Sequence, residues 1–308
     1  MGETSKTSGE IGEALASSLL KKIGWKNFIK NISVPCASRS HINENNNQRQ
    51  THGEDQIYVY SSPFHDDLTE VVHISNKNHI GNYPSGQTLK TNFKAHIKQL
   101  VETIECAEVS EELRKVLDEV QAKATIHHSG LLTWFHNEGN LEHNIKAELA
   151  NARMEAYGDI PICLIDNERA AFLMKVVNNA QSIDSGFVFY YPKIGTSITV
   201  DEKRAGRALP LELISADIIP VLIRKDGARE LLIYANIPYD PESYKRLIGY
   251  SLSFATGLIE KIRIGLPNYN PAQHRQEIST IRLGFDQRNE EIETFSFNSS
   301  IMDLLEDK

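Results

Sequence analysis

Residues 52–78, HGEDQIYVYSSPFHDDLTEVVHISNKN, decide the fold because they contain two predicted strands joined by a polar turn. The first strand, QIYVY, follows Asp55, and the second, EVVHIS, leads into Ser75, Asn76 and Lys77. Apolar and aromatic runs separated by Ser, Pro and Asp are typical of a hairpin. Antiparallel pairing would bring Asp55 near the end of the second strand, with Ser75 and Lys77 on one face and Asn76 on the other. An acidic and a basic side chain are therefore expected to meet.

Helical patterns flank this hairpin along the chain. Apolar residues four positions apart predict a helix from about Gly9 to Ile23 that stops at Gly24. Glu13 lies on a stripe of small residues of that helix, an unusual place for a carboxylate without a role. A second helix is predicted over residues 89–106, with Thr88 as its N-cap.

Two further features limit which kinds of site are expected: the segment before the hairpin and the cysteine content. Residues 39–52, RSHINENNNQRQTH, are too polar to bury anything and predict a surface loop. The three cysteines, Cys36, Cys106 and Cys163, form no CxxC pair. That pattern favours a reducing cytoplasm and argues against a disulfide framework or a cysteine zinc site.

Length and charge restrict the class of protein. The 308 residues are enough for two domains, and no apolar run approaches the roughly 18 residues needed to cross a bilayer. The first residues contain no apolar signal core, so a cytoplasmic protein is expected. The formal charge of -8 is not that of a generally basic nucleic-acid binder. An acidic protein can still bind and act on a nucleic acid if it has a local basic groove or a bound metal ion.

The second half of the sequence also alternates strands and helices. Residues 126–156, rich in histidines and aromatics, are predicted as a helical junction between a first domain over 1–125 and an α/β domain over 157–308. Within the latter we expect a strand at 197–200, a hairpin turning at Asp226-Gly227, a long helix from Asp240 to about Lys261, and a late strand, ISTIRLGF.

The order of the N-terminal features resembles the PD-(D/E)XK nuclease superfamily. GEIGEALASSLLKKIGW resembles its opening helix, with Gly9 and Glu13 in the G-x-x-x-E spacing also found in archaeal Holliday-junction resolvases. HGED places the strand acid at Asp55, and HISNKN places the lysine at Lys77. The resemblance covers about the first third of the chain. It implies an α/β protein: a restriction-endonuclease-like core, with a mixed sheet flanked by helices, followed by a second α/β domain.

The resemblance also implies a site. Asp55, Lys77, Glu13 and Ser75 would be catalytic, and Asp55 and Glu13 with the main chain at Asn76 would bind Mg²⁺ or Mn²⁺. Lys77 would orient the attacking water or neutralise the phosphate. One position departs from the family pattern, because Ser75 stands where the superfamily usually has Asp or Glu. Either a water links Ser75 to the metal, or the site has lost activity.

The function implied is that of a metal-dependent nuclease, with DNA favoured as substrate, acting as a regulated effector in bacterial antiphage defence. A partner protein from an adjacent gene is expected, homo-oligomerisation is left open, and no membrane is involved. Two alternatives remain: a ribonuclease, for example one that cuts tRNA, and an inactive module that binds nucleic acid or a partner. A stripe on the second helix is either a nucleic-acid contact or a solvated face: Lys90, Lys94 and Lys98.

Other candidates have weaker support. Four histidines match no zinc spacing: His127, His128, His136 and His143. His52 and His79 flank the proposed site and are predicted to be polar surface residues. The hairpin turn is the simplest explanation for His65, Asp66 and Asp67. The C-terminal half could also be a small-molecule enzyme, but its sequence shows no nucleophile–base pair that would support this function.

Overall fold

The computed structural model describes residues 2–298, except 44, 141, 151, 153–158, 194–197, 199–203, 255–258 and 286–290. The chain divides into two compact units, Met1–Ala171 and Phe172–Lys308. A five-stranded sheet lies in the first unit and a six-stranded sheet in the second. Of the helices that the structure describes, none is long and apolar enough to cross a membrane.

The first unit is a mixed sheet with helices on both faces, as predicted. Its strands run in the order β1-β2-β3-β4-β5; the first three pair antiparallel, and β3, β4 and β5 pair parallel. In chain order the elements are α1 (Gly2–Lys22), β1 (Ile29–Pro35), β2 (Thr51–Ser61), β3 (Leu68–His79), α2 (Gly86–Ala107), α3 (Glu111–Glu119), β4 (Thr125–His136), α4 (Lys146–Leu149), β5 (Ile162–Ile165) and α5 (Asn167–Ile183), which continues into the second unit.

Helix α1 packs on one face of this sheet. The side-chain amide of Gln56 on β2 donates a hydrogen bond of 3.0 Å to Ser17 Oγ on α1. Gly12 lies so close to β3 that a Cβ added there would stand 2.4 Å from the Cβ of Asn78. The helix stops at Gly24, whose φ of +93° favours glycine, and the next residue, Trp25, is fully buried.

Helix α2 packs on the opposite face. Its apolar side chains form a buried cluster with β4: Leu89, Ile97, Leu100, Val101 and Ile104 pack with Leu132 and Trp134. Gly130 on β4 lies under α2, because a Cβ there would meet Leu100 and Ile104 within 3.2 Å. The close fit of α2 on the central strands fixes the position of every side chain that α2 directs toward β2 and β3.

Two helix starts differ from the prediction. Helix α1 begins at Gly2 rather than near Gly9. The N-cap of α2 is Ser85 rather than Thr88, and its extended backbone is that of a cap residue, although its side chain makes no capping bond. Thr88 lies within the first turn, where a β-branched residue is tolerated. By contrast, Ser110 caps α3, accepting a hydrogen bond from Leu113 N at 3.4 Å.

The prediction of a helical junction over 126–156 is wrong for residues 126–136. They belong to β4, which pairs with β3 over its full length and is buried from Ser129 onward. The adjacent polar residues His127 and His128 obscured the strand pattern, because a strand buried on both faces does not alternate. Strand β5 belongs to the same sheet, so the first unit extends to Ala171, beyond the predicted boundary at residue 125.

The second unit contains a sheet in the order β11-β10-β9-β8-β6-β7. Strands β9, β10 and β11 pair parallel, and the other neighbours pair antiparallel. After α5, the elements are β6 (Val188–Tyr190), β7 (Ala205–Gly206), α6 (Leu211–Ile214), β8 (Ile218–Lys225), β9 (Ala228–Ala235), α7 (Pro241–Phe254), β10 (Lys261–Leu266), α8 (Pro271–Leu283) and β11 (Glu291–Ser296).

Predictions in this unit had mixed outcomes. The β8–β9 hairpin is confirmed, with Asp226 and Gly227 at φ values of 52° and 88°. The long helix is wrong at its end, since Lys261 begins β10. The late strand ISTIRLGF is also wrong: most of it belongs to α8, which Asn270 caps through Ala272 N and Pro271 initiates. Most of the strand predicted at 197–200 lies outside the described residues.

Candidate active site

The hairpin brings Asp55 to the end of β3. Gln56 on β2 pairs with Ile74 on β3, so the preceding residue, Asp55, lies across from Ser75. The backbone N–H of Asn76 donates a hydrogen bond of 2.9 Å to Asp55 Oδ2. This bond holds the carboxylate at the strand end and engages one of its two oxygens, so the other oxygen can bind a ligand.

Three of the predicted site residues share a pocket. Asp55, Ser75 and Lys77 line it from the sheet, and Gln99 and Thr103 line it from α2. The alternation of side chains along β3 puts Ser75 and Lys77 on one face, as predicted, and the structure shows that α2 covers that face. The pocket therefore combines one carboxylate, one ammonium group and three neutral polar side chains.

Lys77 is held in place by α2. Its Nζ donates a hydrogen bond of 3.2 Å to Gln99 Oε1. Burial lowers the pKa of Lys77, and the negative charge of Asp55 acts in the opposite direction. The ammonium group is thus partly stripped of water and fixed beside a carboxylate, which strengthens its attraction for any further anion in the pocket.

His96 on α2 lies near Lys77, and it was not among the site residues predicted from the sequence. Burial and, to a smaller extent, the positive charge of Lys77 together lower its pKa to about 4, so the imidazole is neutral at pH 7. Its ring stands edge-on to Trp134 at 5.1 Å. The sequence did contain a pattern that could have indicated this polar face of α2. His96, Gln99 and Thr103 recur at helical spacing between the apolar residues of the predicted helix.

Glu13 and the side chain of Asn76 lie elsewhere. Glu13 is exposed on α1, the helix that packs on the opposite face of the sheet, and it is not among the lining residues. The Asn76 side chain also points away from α2, and its Oδ1 accepts a hydrogen bond of 2.7 Å from Thr133 Oγ1. At Asn76, only the main chain contacts Asp55.

The lining residues fit a hydrated divalent cation. Mg²⁺ binds through one or two carboxylates and keeps several waters, and Mn²⁺ accepts similar oxygen ligands. Asp55 supplies one carboxylate and the neighbouring Ser75 supplies a hydroxyl. Lys77 lies on the same wall, and its positive charge repels a cation in the pocket. Binding of the ion is therefore favoured when an anionic substrate is bound with it.

The predicted basic stripe lies on the same helix as Gln99. Lys90 and Lys94 are half-buried on α2, and Lys98 is exposed. Lys98 Nζ lies 3.9 Å from Glu102 Oε1, an ion pair that partly offsets its charge. The stripe thus presents a modest positive surface on the helix that forms one wall of the pocket.

The four histidines of the predicted junction make separate contacts. His127 Nδ1 lies 2.9 Å from Glu70 Oε2, His128 Nδ1 lies 2.9 Å from His73 Nε2, and His143 Nε2 lies 3.3 Å from Glu148 Oε1. No metal-ligand group that the structure describes includes any of the four, His136 among them. His79 is exposed as predicted, but the prediction for His52 is wrong, since that side chain is 1% exposed.

Comparison with known proteins adds one finding. The family model described as the GAPS4 protein PD-(D/E)XK nuclease domain matches residues 1–169. The match includes β4 and β5, and its end agrees closely with the end of the first compact unit at Ala171. A search of curated proteins gave no match.

Proposed function

Because the chain belongs to the GAPS4 family of PD-(D/E)XK nuclease domains, a family of antiphage defence, we propose that it hydrolyses phosphodiester bonds of DNA with a divalent metal ion. The observation that carries the proposal is the shared pocket of Asp55, Ser75 and Lys77. An acid at a strand mouth and a lysine at the end of the neighbouring strand are the arrangement that the superfamily uses for this chemistry.

Each side chain has a distinct part in the proposed reaction. Asp55, whose carboxylate accepts from the Asn76 N–H, would hold the metal ion, and the Ser75 hydroxyl would assist it. When bound, Mg²⁺ or Mn²⁺ offsets the charge on the phosphate and lowers the pKa of a water molecule. Lys77, oriented by Gln99, donates to the attacking water or to a phosphate oxygen. Neutral His96 adds no charge that would compete with Lys77.

Glu13 remains a proposed metal ligand whose position does not favour the role. Its helix covers the sheet face opposite the pocket, and its side chain is exposed. In the wild-type fold a contribution from Glu13 would require the carboxylate to reach around the sheet end, so Glu13→Gln is expected to retain far more activity than Asp55→Asn.

The substrate and the partners follow from the family rather than from the pocket. DNA is the proposed substrate because most of the superfamily cuts DNA, and RNA, including tRNA, is the alternative. An uncontrolled nuclease would damage its own cell, so we propose that residues 172–308 regulate the nuclease or mediate assembly with a partner protein. Free degradation of nucleic acid by the purified chain, without partner or trigger, would contradict this regulatory role.

The test compares Asp55→Asn and Lys77→Ala with wild type on plasmid, single-stranded DNA and total RNA, with Mg²⁺ or Mn²⁺ and a cell extract that supplies the partner and trigger. Each substitution should lower the cleavage rate by about 100-fold or more, since each removes a charge that stabilises the reaction. Asp67→Asn at the hairpin turn and Lys115→Ala on α3 are matched controls, because both residues are exposed and outside the pocket.

A second function is favoured by one observation: Ser75 leaves Asp55 as the lone carboxylate among the described lining residues. A domain that keeps the fold but hydrolyses nothing would bind nucleic acid or a partner protein. If wild type cleaves no more than the two pocket variants do in the partner-containing extract, this second function replaces the first.

A further inference from the structure

Four side chains with metal-binding atoms converge at a place that the proposed reaction does not use. Cys36 follows β1, His41 lies in the polar loop over residues 36–50, His52 is on β2, and Cys106 is near the end of α2. One ligand atom of each lies within 4.8 Å of the corresponding atoms of the others. His41, His52 and Cys106 are at most 5% exposed, and Cys36 is half-buried.

The distances from His41 to the other three side chains of this Cys₂His₂ cluster are those of a tetrahedral site. His41 Nδ1 lies 3.3 Å from His52 Nε2, 3.4 Å from Cys106 Sγ and 3.6 Å from Cys36 Sγ. A tetrahedral Zn²⁺ with ordinary bond lengths places two nitrogens about 3.3 Å apart, and a nitrogen and a sulfur about 3.6 Å apart. The side chains are thus already arranged around a common centre.

Hydrogen bonding among the four side chains does not account for this arrangement. His41 Nε2 lies 3.1 Å from Glu105 Oε2, and since a carboxylate accepts, Nε2 carries the proton of that bond. The other nitrogen, Nδ1, can make one hydrogen bond, whether it offers a lone pair or a proton. Three groups nevertheless lie within 3.6 Å of Nδ1. A cation at the centre of the cluster would bind all of them at once.

The surroundings of the cluster also suit a metal. Glu105 on His41 Nε2 is the carboxylate–histidine pairing that orients imidazole ligands of zinc. The backbone N–H of Ala37 donates to Cys106 Sγ at 3.4 Å, a bond that stabilises a thiolate.

We propose that Cys36, His41, His52 and Cys106 bind one structural Zn²⁺ ion. Two cysteines and two histidines select zinc over Mg²⁺, and four protein ligands leave no open position for a substrate. The ion fastens a long polar loop that has little apolar surface of its own to the start of β2 and the end of α2. Asp55 follows His52 on β2, and Thr103 precedes Cys106 on α2, so the zinc site also braces two walls of the pocket.

The test measures metal content and does not depend on nuclease activity. Full-length protein, purified without chelators, should contain about one zinc per chain by mass spectrometry of the metal. Cys106→Ser and Cys36→Ser should lose most of it, while Cys163→Ser should keep it, because that cysteine lies on β5 outside the cluster. Circular dichroism establishes which variants are folded.

A second measurement on the wild-type chain keeps the proposal open to refutation even where a variant fails to fold. Zinc is removed and Co²⁺ is added, and an intense visible absorption with a sulfur-to-cobalt charge-transfer band is expected from a tetrahedral site with two thiolates. A folded wild-type chain that takes up neither metal overturns the proposal. So does zinc content unchanged in folded Cys106→Ser, or a disulfide joining Cys36 to Cys106 in the purified chain.

Discussion

Ser75 is the residue at which this pocket departs most from its family. The neighbouring positions keep their expected places: Asp55 accepts from Asn76 N, and Lys77 contacts Gln99. With one carboxylate fewer than usual, the pocket holds less negative charge, and its affinity for a divalent cation should be lower. We therefore expect Ser75 to influence how much metal the proposed reaction requires.

Introducing an acid at this position tests that idea. Ser75→Asp should lower the Mg²⁺ concentration at half-maximal cleavage by about tenfold, corresponding to about 1.4 kcal/mol of binding free energy. The measurement is a metal titration of the cleavage rate. Ser75→Asn is the control, because it adds similar volume without charge and should leave the midpoint near that of wild type. Equal midpoints for the two variants would show that position 75 does not contact the ion or its waters.

Individual residues could be predicted where neighbours in sequence are neighbours in space. Asp55 and Lys77 lie on consecutive strands of one hairpin, so the period of the strands was enough to bring them together. Cys36 and Cys106 are separated by an entire hairpin and a helix, and a spacing rule based on CxxC pairs could not join them. His41 was assigned to a surface loop because composition reports average polarity, whereas burial depends on which side chain the loop turns inward.

Among the elements, α1 and β3 make an unusually close contact. Gly12 lies against Asn78, and any side chain at position 12 would collide with the strand that carries Lys77. An interior helical glycine normally costs about 1 kcal/mol relative to alanine, so the close approach explains its presence. Gly12 could not be distinguished from Gly9 by sequence, because a helical pattern does not reveal which glycine faces the sheet.

Gly12→Ala should therefore destabilise the protein, although alanine favours helix. We expect the free energy of unfolding to fall by about 1–3 kcal/mol, as for other overpacked positions, measured by urea denaturation. Ser18→Ala on an exposed position of the same helix is the control and should be neutral or slightly stabilising. A Gly12→Ala protein that is more stable than wild type would mean that α1 does not pack on β3 in this way.

Helix α2 combines a wall of the pocket with the stripe of Lys90, Lys94 and Lys98. If the stripe contacts a phosphate backbone, replacing Lys90 and Lys94 with alanine should weaken DNA binding and reduce the slope of log affinity against log salt by about 1 per lysine. Binding is measured by fluorescence anisotropy with catalytically inactive Asp55→Asn protein at several salt concentrations. Lys115→Ala serves as the control. An unchanged slope in the double variant would show that the lysine stripe is a solvated surface that does not contact DNA.

Elements with a clear period were predicted, and those with mixed signals were not. The β2–β3 hairpin came directly from the alternation of its strands. Strand β4 was missed because burial on both faces removes alternation, and α8 was taken for a strand because its short apolar run, ISTI, has no decisive period. The fold class survived these errors, since it depends on the order of the hairpin and its flanking helices.

For the molecule as a whole, buried histidines make stability depend on pH. The pKa values of His96 and His128 are lowered to about 4, mainly by burial and, for His128, also by the neighbouring His73 and His127. These imidazoles have an ordinary pKa of 6.5, so the unfolded chain binds more protons between about pH 6.5 and 4. Their contribution to stability is complete above pH 6.5 and is lost as the pH falls through that window.

The melting temperature should accordingly fall by about 5 °C between pH 7 and 5.5, and more steeply below. Differential scanning calorimetry at a series of pH values provides the measurement. His128→Asn removes one of the titrating groups, so its melting temperature should vary less with pH than that of wild type, whatever its absolute value. Parallel curves for the two proteins would show that His128 is not a source of the pH dependence.

The pairing of β3 with β4 has a consequence for how the protein is made on the ribosome. Asp55, Lys77 and Gln99 are synthesised within a short run of the chain, but the strand that carries Lys77 keeps an open edge until residues 125–136 have left the exit tunnel. Since nascent domains fold as units, the first unit and its pocket are complete only after β4 is added. Under the proposed function, a chain that has not yet released β4 would therefore have no nuclease activity.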